Sequence, residues 1–306
     1  MSSREHPAPL VQNDRLQQHC SGSVVVYHSP ESKPLAAEVG EYADQCNHYL
    51  ARLFGDAKPT GQNVYWLASA DWLNPPETYG FPYNVGPNAI LAAADADLPT
   101  QLALIADFMF LERGGDDVAR TAGLLGLPPD ADGSSVYRQL TTSKQFFVEY
   151  TLGFIMPHEM MHGYCQARGL PESPRWYYEG VAQWSAYRMQ RELQGEREAE
   201  MIYSYYQLLW DRVGDNLKIL DFQEADRLGH LNLDTPNYAW YHAGLLRMFR
   251  ELERRKGSDL LPALIEQIGR VYDGRETIGH AEMIATFSDV VGDELGTWFR
   301  EGWNLD

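Results

Sequence analysis

Residues 158–162 read His-Glu-Met-Met-His, and their types and spacing are suited to metal chemistry. On an α-helix, residues four apart lie on one face, so His158 and His162 can reach one ion. Glu159 lies about 100° round the helix, where it can act on a water that the ion activates. This H-E-x-x-H pattern is typical of a zinc site with a glutamate general base. The alternative is a surface helix that exposes these three side chains to solvent.

A third ligand is expected, because catalytic zinc usually takes three protein ligands. The segment from Trp176 to Trp184 is mostly apolar and indicates a second buried helix, in which Glu179 is the one charged residue. A buried carboxylate is costly unless it is paired or binds a metal. A loop that contains a glycine and two prolines separates the two helices and allows the chain to reverse. Glu179 is therefore the candidate ligand; the alternatives are that Glu179 pairs with Arg175, or that Glu172 in the loop binds the metal.

The two motifs together, H-E-x-x-H followed by W-x-x-E-G-x-A, resemble the gluzincin metallopeptidases. They are closest to the peptidase MA-like domains and more distantly similar to the aminopeptidase-N-like enzymes. The resemblance implies one Zn²⁺ per chain, bound by His158, His162 and Glu179, with Glu159 as general base in the hydrolysis of a peptide or protein substrate. It also implies an α+β fold, with a zincin-like catalytic domain that has a small N-terminal sheet and the zinc helix, followed by a mostly helical C-terminal lobe.

A later segment, residues 238–249, is similar to the aromatic-x-x-Gly helix of these families, in which a tyrosine hydroxyl stabilises the tetrahedral intermediate. Matching Gly244 to the family glycine assigns this role to Tyr241, and Tyr238, one turn earlier, is the alternative. His242 could bind the oxyanion or a substrate carboxylate, or could be a structural histidine.

Two departures from the family pattern lie beside the metal motifs. Gln183 stands where many gluzincins carry an acid that hydrogen-bonds a ligand histidine; a glutamine can accept that bond but adds no charge. Pro157 directly precedes His158, and proline is tolerated in the first turn of a helix but not in its interior. The zinc helix is therefore expected to begin at Pro157 or to kink there. These departures keep a second function open, that of a zinc-binding domain that binds a peptide or protein partner and cleaves it weakly or not at all.

The organisation predicted for the chain has three parts. Residues 1–22 are expected to form a loose arm, residues 23–170 an α+β lobe with the H-E-x-x-H helix, and residues 171–306 a helical lobe with the third ligand. Strands are predicted over residues 23–28, 63–68 and 88–94. Helices are predicted over residues 35–54, 98–113, 181–200, 201–213, 237–256, 260–272 and 281–291, and the zinc helix is expected to end at residue 169. Residues 75–86 are predicted as loop and residues 114–135 as a surface insertion.

Substrate binding is expected at one of these strands. In gluzincins an edge strand above the zinc pairs with extended substrate, and the resemblance makes Asn88, Ala89 and Ile90 the candidates. The alternative is an ordinary strand inside the sheet.

Composition limits the partners. The net charge of −18 argues against nucleic acid and anionic membrane surfaces, which require basic patches. The three cysteines lack C-x-x-C spacing, which favours reduced thiols and a cytoplasmic location. The sequence contains no run of 18 apolar residues, so no membrane span is predicted, and the N-terminus does not read as a signal peptide.

Overall fold

The computed structural model describes residues 14–73, 82–93, 128, 130, 148–213, 240–275 and 277–292. Within these ranges the protein is a mixed α+β structure. Its strands are β1 (Gln17–Ser21), β2 (Val24–His28), β3 (Gln62–Leu67), β4 (Tyr83–Val85) and β5 (Asn88–Ala92). Its helices are α1 (Lys33–Leu53), α2 (Met156–Ala167), α3 (Arg175–Leu193), α4 (Glu196–Val213), α5 (Leu245–Lys256), α6 (Leu260–Tyr272) and α7 (His280–Val291).

The five strands form one sheet in the order β1-β2-β3-β5-β4. Strands β2, β3 and β5 are parallel, whereas β1 and β4 run antiparallel to their neighbours. The sequence predicted β2, β3 and β5 to within two residues at each end. Their alternating or fully apolar residues are typical of strands that face a core.

Two strands lie where the sequence predicted none. Strand β1 occupies the end of the predicted loose arm and pairs with β2 across a two-residue turn at Gly22, whose φ of +52° suits glycine. Strand β4 falls in the predicted loop over 75–86 and pairs with β5 across a similar turn at Gly86, with φ of +57°. Both predictions were wrong because short strands with little apolar patterning are stabilised mainly by backbone pairing with a neighbour.

The prediction of an edge strand at Asn88–Ala92 was also wrong. Residues Asn88, Ala89 and Ile90 pair with β3 on one side and with β4 on the other. Their backbone groups are therefore engaged in the sheet. Among the strands that the structure describes, β4 is the outer one on this side.

Helix α2 contains the H-E-x-x-H residues and follows a π-helical segment, Val148–Ile155, without an interruption of the helical path. The α-helical pattern begins at Met156, within one residue of the predicted start at Pro157, but helical backbone extends further back. Proline has no N–H, and it lies where the hydrogen bonding changes from the π to the α pattern, which explains why it is tolerated there.

The end of α2 is set by local backbone geometry. Gly169 has a φ of +64°, its N–H donates to the carbonyl of Gln166, and the N–H of Leu170 donates to the carbonyl of Cys165. These two bonds form a Schellman motif, which satisfies the last carbonyls of the helix. The predicted end at residue 169 is confirmed.

Helix α3 follows this turn, and 13 of its 19 residues are buried. The sequence predicted a boundary between two helices at residues 200 and 201. In the structure this boundary lies earlier, at Gly195, whose φ is +131°. Helices α6 and α7 agree with the prediction to within one residue. Helix α5 begins eight residues after the predicted start at residue 237, because a second π-helical segment, Trp240–Gly244, precedes it.

One hydrophobic core contains residues from both predicted lobes, including Val64 of β3, Tyr164 of α2 and Phe249 of α5. The division at residue 170 therefore stays a prediction. The predicted helix over 98–113 and nearly all of the predicted insertion over 114–135 lie outside the described residues. In the part of the chain that the structure describes, no helix combines the length and apolarity needed to cross a membrane.

Candidate metal centre

The side chains of His158 and His162 on α2 and of Glu179 on α3 meet at one point. The two Nε2 atoms lie 3.0 Å apart, and the rings are nearly perpendicular. The Oε2 atom of Glu179 lies 3.3 Å from Nε2 of His158 and 3.5 Å from Nε2 of His162. The packing of α2 against α3, on either side of the turn at Gly169, produces this convergence.

These separations fit a tetrahedral ion. Ligand atoms about 2.1 Å from zinc at tetrahedral angles are about 3.4 Å from one another. Two imidazole nitrogens and a carboxylate oxygen are also the donor set of one class of catalytic zinc sites. Each of the three residues is at most 6% exposed, so a cation between them would offset the cost of burying the carboxylate.

The other oxygen of Glu179 has a separate partner. Its Oε1 lies 3.7 Å from Nη1 of Arg175, one turn earlier on α3. The ion pair that the sequence offered as an alternative therefore exists, but it leaves Oε2 directed at the histidines. Within the described residues, the cluster of potential metal ligands contains Glu179 and not Glu172.

Glu159 is buried beside the cluster. Burial raises the pKa of its carboxyl to about 7; the neighbouring His158 acts in the opposite direction and the carboxylate of Glu179 raises it further. A carboxyl group with a pKa near neutrality is suited to proton transfer in either direction. A cation bound by the cluster would favour the charged form and lower this pKa.

Tyr178 is a residue to which the sequence assigned no role in the site. Its ring stacks on the imidazole of His162 with 4.1 Å between the centroids, and its hydroxyl donates to the carbonyl of His162 at 3.4 Å. The Nε2 of Gln166 donates to the same hydroxyl at 3.2 Å. Burial raises the pKa of the Tyr178 hydroxyl well above its usual range, so it stays protonated. In the sequence, the indication of this contact was the position of Tyr178 directly before Glu179.

Gln183 does not hydrogen-bond a ligand histidine, contrary to the prediction. It is fully buried, and its side-chain amide lies 2.8 Å from Nδ1 of His242. Among the described residues, the Nδ1 atoms of His158 and His162 have no hydrogen-bond partner. The pair of Gln183 and His242 instead links α3 to the π-helical segment before α5, so His242 has a structural contact.

The remaining candidate site residues are the two tyrosines of residues 238–249 and the three residues of the predicted substrate strand. Tyr241 belongs to the segment Trp240–Gly244, but its side chain lies outside what the structure describes, as does the whole of Tyr238. The turn between β4 and β5 lies close to α2: a Cβ added at Gly163 would lie 3.0 Å from the carbonyl oxygen of Gly86. Asn88, Ala89 and Ile90 are therefore in a strand beside the helix of the metal cluster, although not at an edge.

No protein-family model matches the chain, and no curated protein matches it. The functional argument consequently rests on the motifs and on the geometry of the cluster.

Proposed function

We propose that this protein is a zinc-dependent peptidase of the gluzincin type with a zincin-like catalytic domain. The observation that carries the proposal is the convergence of three buried donor atoms, two imidazole nitrogens and one carboxylate oxygen, within 3.5 Å of one another. His158, His162 and Glu179 would hold one Zn²⁺.

A Zn²⁺ ion held there would supply a Lewis acid for the activation of water and the polarisation of a carbonyl. Glu159 accepts a proton from the attacking water and returns it to the leaving amine. Its burial beside the cluster supports this role. According to the resemblance, the hydroxyl of Tyr241 donates a hydrogen bond to the developing oxyanion, with Tyr238 as the alternative. One such donor stabilises the transition state by about 3 kcal/mol.

The substrate class follows from the same resemblance and is a peptide or protein. A peptide that adds to the described sheet on the side of α2 would pair with β4, because β5 is already paired on both sides. Two further statements stay predictions: that the protein does not bind nucleic acid or membranes, and that it is cytoplasmic. The three cysteines form no disulfide bonds, which agrees with a reducing environment.

A second candidate is a zinc-binding domain that binds a peptide or protein and turns it over weakly or not at all. The contact of Gln183 with His242 favours it, because no carboxylate among the described residues accepts a hydrogen bond from the Nδ1 atom of either ligand histidine.

One experiment separates the two functions. The zinc-loaded protein is incubated with a broad peptide library, and products are identified by mass spectrometry, with Glu159→Gln as the matched control. Cleavage by the parent and not by Glu159→Gln supports the peptidase. Bound zinc without cleavage by either protein supports the second candidate.

A further inference from the structure

A polar cavity lies among the C-terminal half of α3, α4 and α5. Its volume is about 660 Å³, which is in the range of small-molecule sites. Arg191 in its wall is twelve residues after Glu179 on the same helix, or about 18 Å along it. The cavity is therefore separate from the metal cluster.

The lining of this cavity is strongly basic. Five arginines contribute to it: Arg191, Arg247, Arg250, Arg254 and Arg255. Two glutamates, Glu251 and Glu253, also line it, so the lining residues carry a formal charge of +3. The ion pair of Arg250 with Glu200 behind the wall reduces this to +2. The chain as a whole has a net charge of −18. A concentration of positive charge on so acidic a protein attracts anions to the cavity.

Arg250 is fixed in the cavity wall. Its guanidinium carbon lies 3.6 Å from the ring centroid of Tyr203 and 4.6 Å from that of Tyr187, and its Nη2 donates to Glu200 at 2.9 Å. A guanidinium held in this way loses little conformational entropy when it binds a ligand.

The wall also contains more donors than acceptors. Nη1 of Arg250 and Nε2 of Gln207 are buried and have no hydrogen-bond partner among the described residues. Gln207 is only 7% exposed. Buried donors are costly to leave unpaired, and the oxygen atoms of a ligand bound in the cavity would supply the missing acceptors.

We propose that this cavity binds a small molecule that carries two or more oxyanion groups, either phosphates or carboxylates. Guanidinium groups match both oxyanions through paired N–H donors. Because the cavity has both an excess of positive charge and unpaired donors, the ligand is expected to carry more than one acceptor group. The inference does not depend on the proposed peptidase activity.

The test is calorimetric titration of the full chain at low ionic strength with inorganic pyrophosphate and, separately, with citrate. Saturable binding of at least one probe is expected, and Arg191→Gln should weaken it by about tenfold or more. Binding of pyrophosphate alone identifies phosphate as the ligand group, and binding of citrate alone identifies carboxylate. Both probes also chelate metal ions, but Arg191→Gln leaves the metal cluster intact, so the difference reports the cavity.

The matched control is Arg275→Gln. Arg191 pairs with Glu253 at 3.1 Å and lies 5.5 Å from the ring centroid of Tyr187. Arg275 pairs with Glu282 at the same distance and lies 5.4 Å from the ring centroid of Tyr272, away from the cavity.

A second variant keeps the test valid if Arg191→Gln does not fold. The Arg254 side chain is 70% exposed, so Arg254→Gln should fold normally, and it is expected to weaken binding several-fold. The absence of saturable binding of both probes, or equal affinities for Arg191→Gln, Arg254→Gln and Arg275→Gln, would overturn the proposal.

Discussion

The ring of Tyr178 lies nearly parallel to the imidazole of His162, with 4.1 Å between the ring centroids and an angle of 25° between the planes. Tyr178 directly precedes Glu179, so one turn of α3 provides both a potential ligand and a contact that orients another. Since groups that orient metal ligands affect metal affinity, Tyr178 is expected to contribute to binding.

Replacing Tyr178 tests this contact. Tyr178→Ala removes the stacked ring and is expected to weaken zinc binding by about tenfold, measured by competition with a chromophoric chelator. Tyr178→Phe keeps the ring and loses only the hydroxyl contacts with His162 and Gln166, so it should remain within a few-fold of the parent. Equal zinc affinities of Tyr178→Ala and the parent would show that the stacking has no role in binding.

Glu159 is predicted to act on the reaction and not on the metal. Glu159→Gln should therefore retain about one zinc per chain while its peptide cleavage falls by at least about a hundredfold, because a proton acceptor contributes about 10²- to 10⁴-fold. Zinc content by elemental mass spectrometry and cleavage rates are measured on the same samples. A variant that cleaves as fast as the parent would contradict the assigned role.

Gly180 is predicted to be required for the packing of α3 on α5. A Cβ at this position would overlap the ring of Phe249, which is itself stacked on Trp184 and has little room to move. Gly180→Ala should lower the free energy of unfolding by about 1–3 kcal/mol, measured by denaturant titration.

The control for this prediction is Gly269→Ala in α6. A Cβ at Gly269 would meet Leu170 at an ordinary contact distance of 3.5 Å. Since alanine is the better helix former, this variant should be as stable as the parent or slightly more stable. Equal losses in the two variants would show that overlap with Phe249 is not the cause.

Glu251 is predicted to make stability depend on pH. Hydrogen bonds from Arg254 and Arg255 lower the pKa of its carboxyl from 4.5 to about 2. A carboxyl whose pKa is lower in the folded state stabilises the protein above its unfolded pKa, and this contribution is lost as the pH falls through about 4.5 to 2. Solvent screens these arginines, so the contribution should be below about 1 kcal/mol.

The measurement compares the parent with Glu251→Gln by denaturant titration at pH 7 and at pH 2.5. Glu251→Gln should be slightly less stable at pH 7, and the difference should become smaller at pH 2.5 and in high salt. A difference that does not change with pH would contradict the assigned ion pairs.

The sequence predicted the parts of the site that depend on local periodicity. His158 and His162 share a face because helical spacing is local, and Glu179 stood out as one charge in an apolar helix. The partner of Gln183 and the stacking of Tyr178 could not be predicted, since both depend on how distant helices pack. The interior position of β5 was missed for a similar reason: β4 is only three residues long and its presence depends on the turn at Gly86.

The central claim is tested most directly by the zinc content of three purified proteins: the parent, Glu179→Gln and Glu172→Gln. Elemental mass spectrometry should give about one zinc per chain for the parent and for Glu172→Gln, whose replaced glutamate lies in the loop before α3. Glu179→Gln should lose most of its zinc after dialysis against a moderate chelator, because it lacks the carboxylate, the one charged donor of the three ligands. A parent without zinc after incubation with the metal, or equal zinc content in all three proteins, would contradict the three-ligand site.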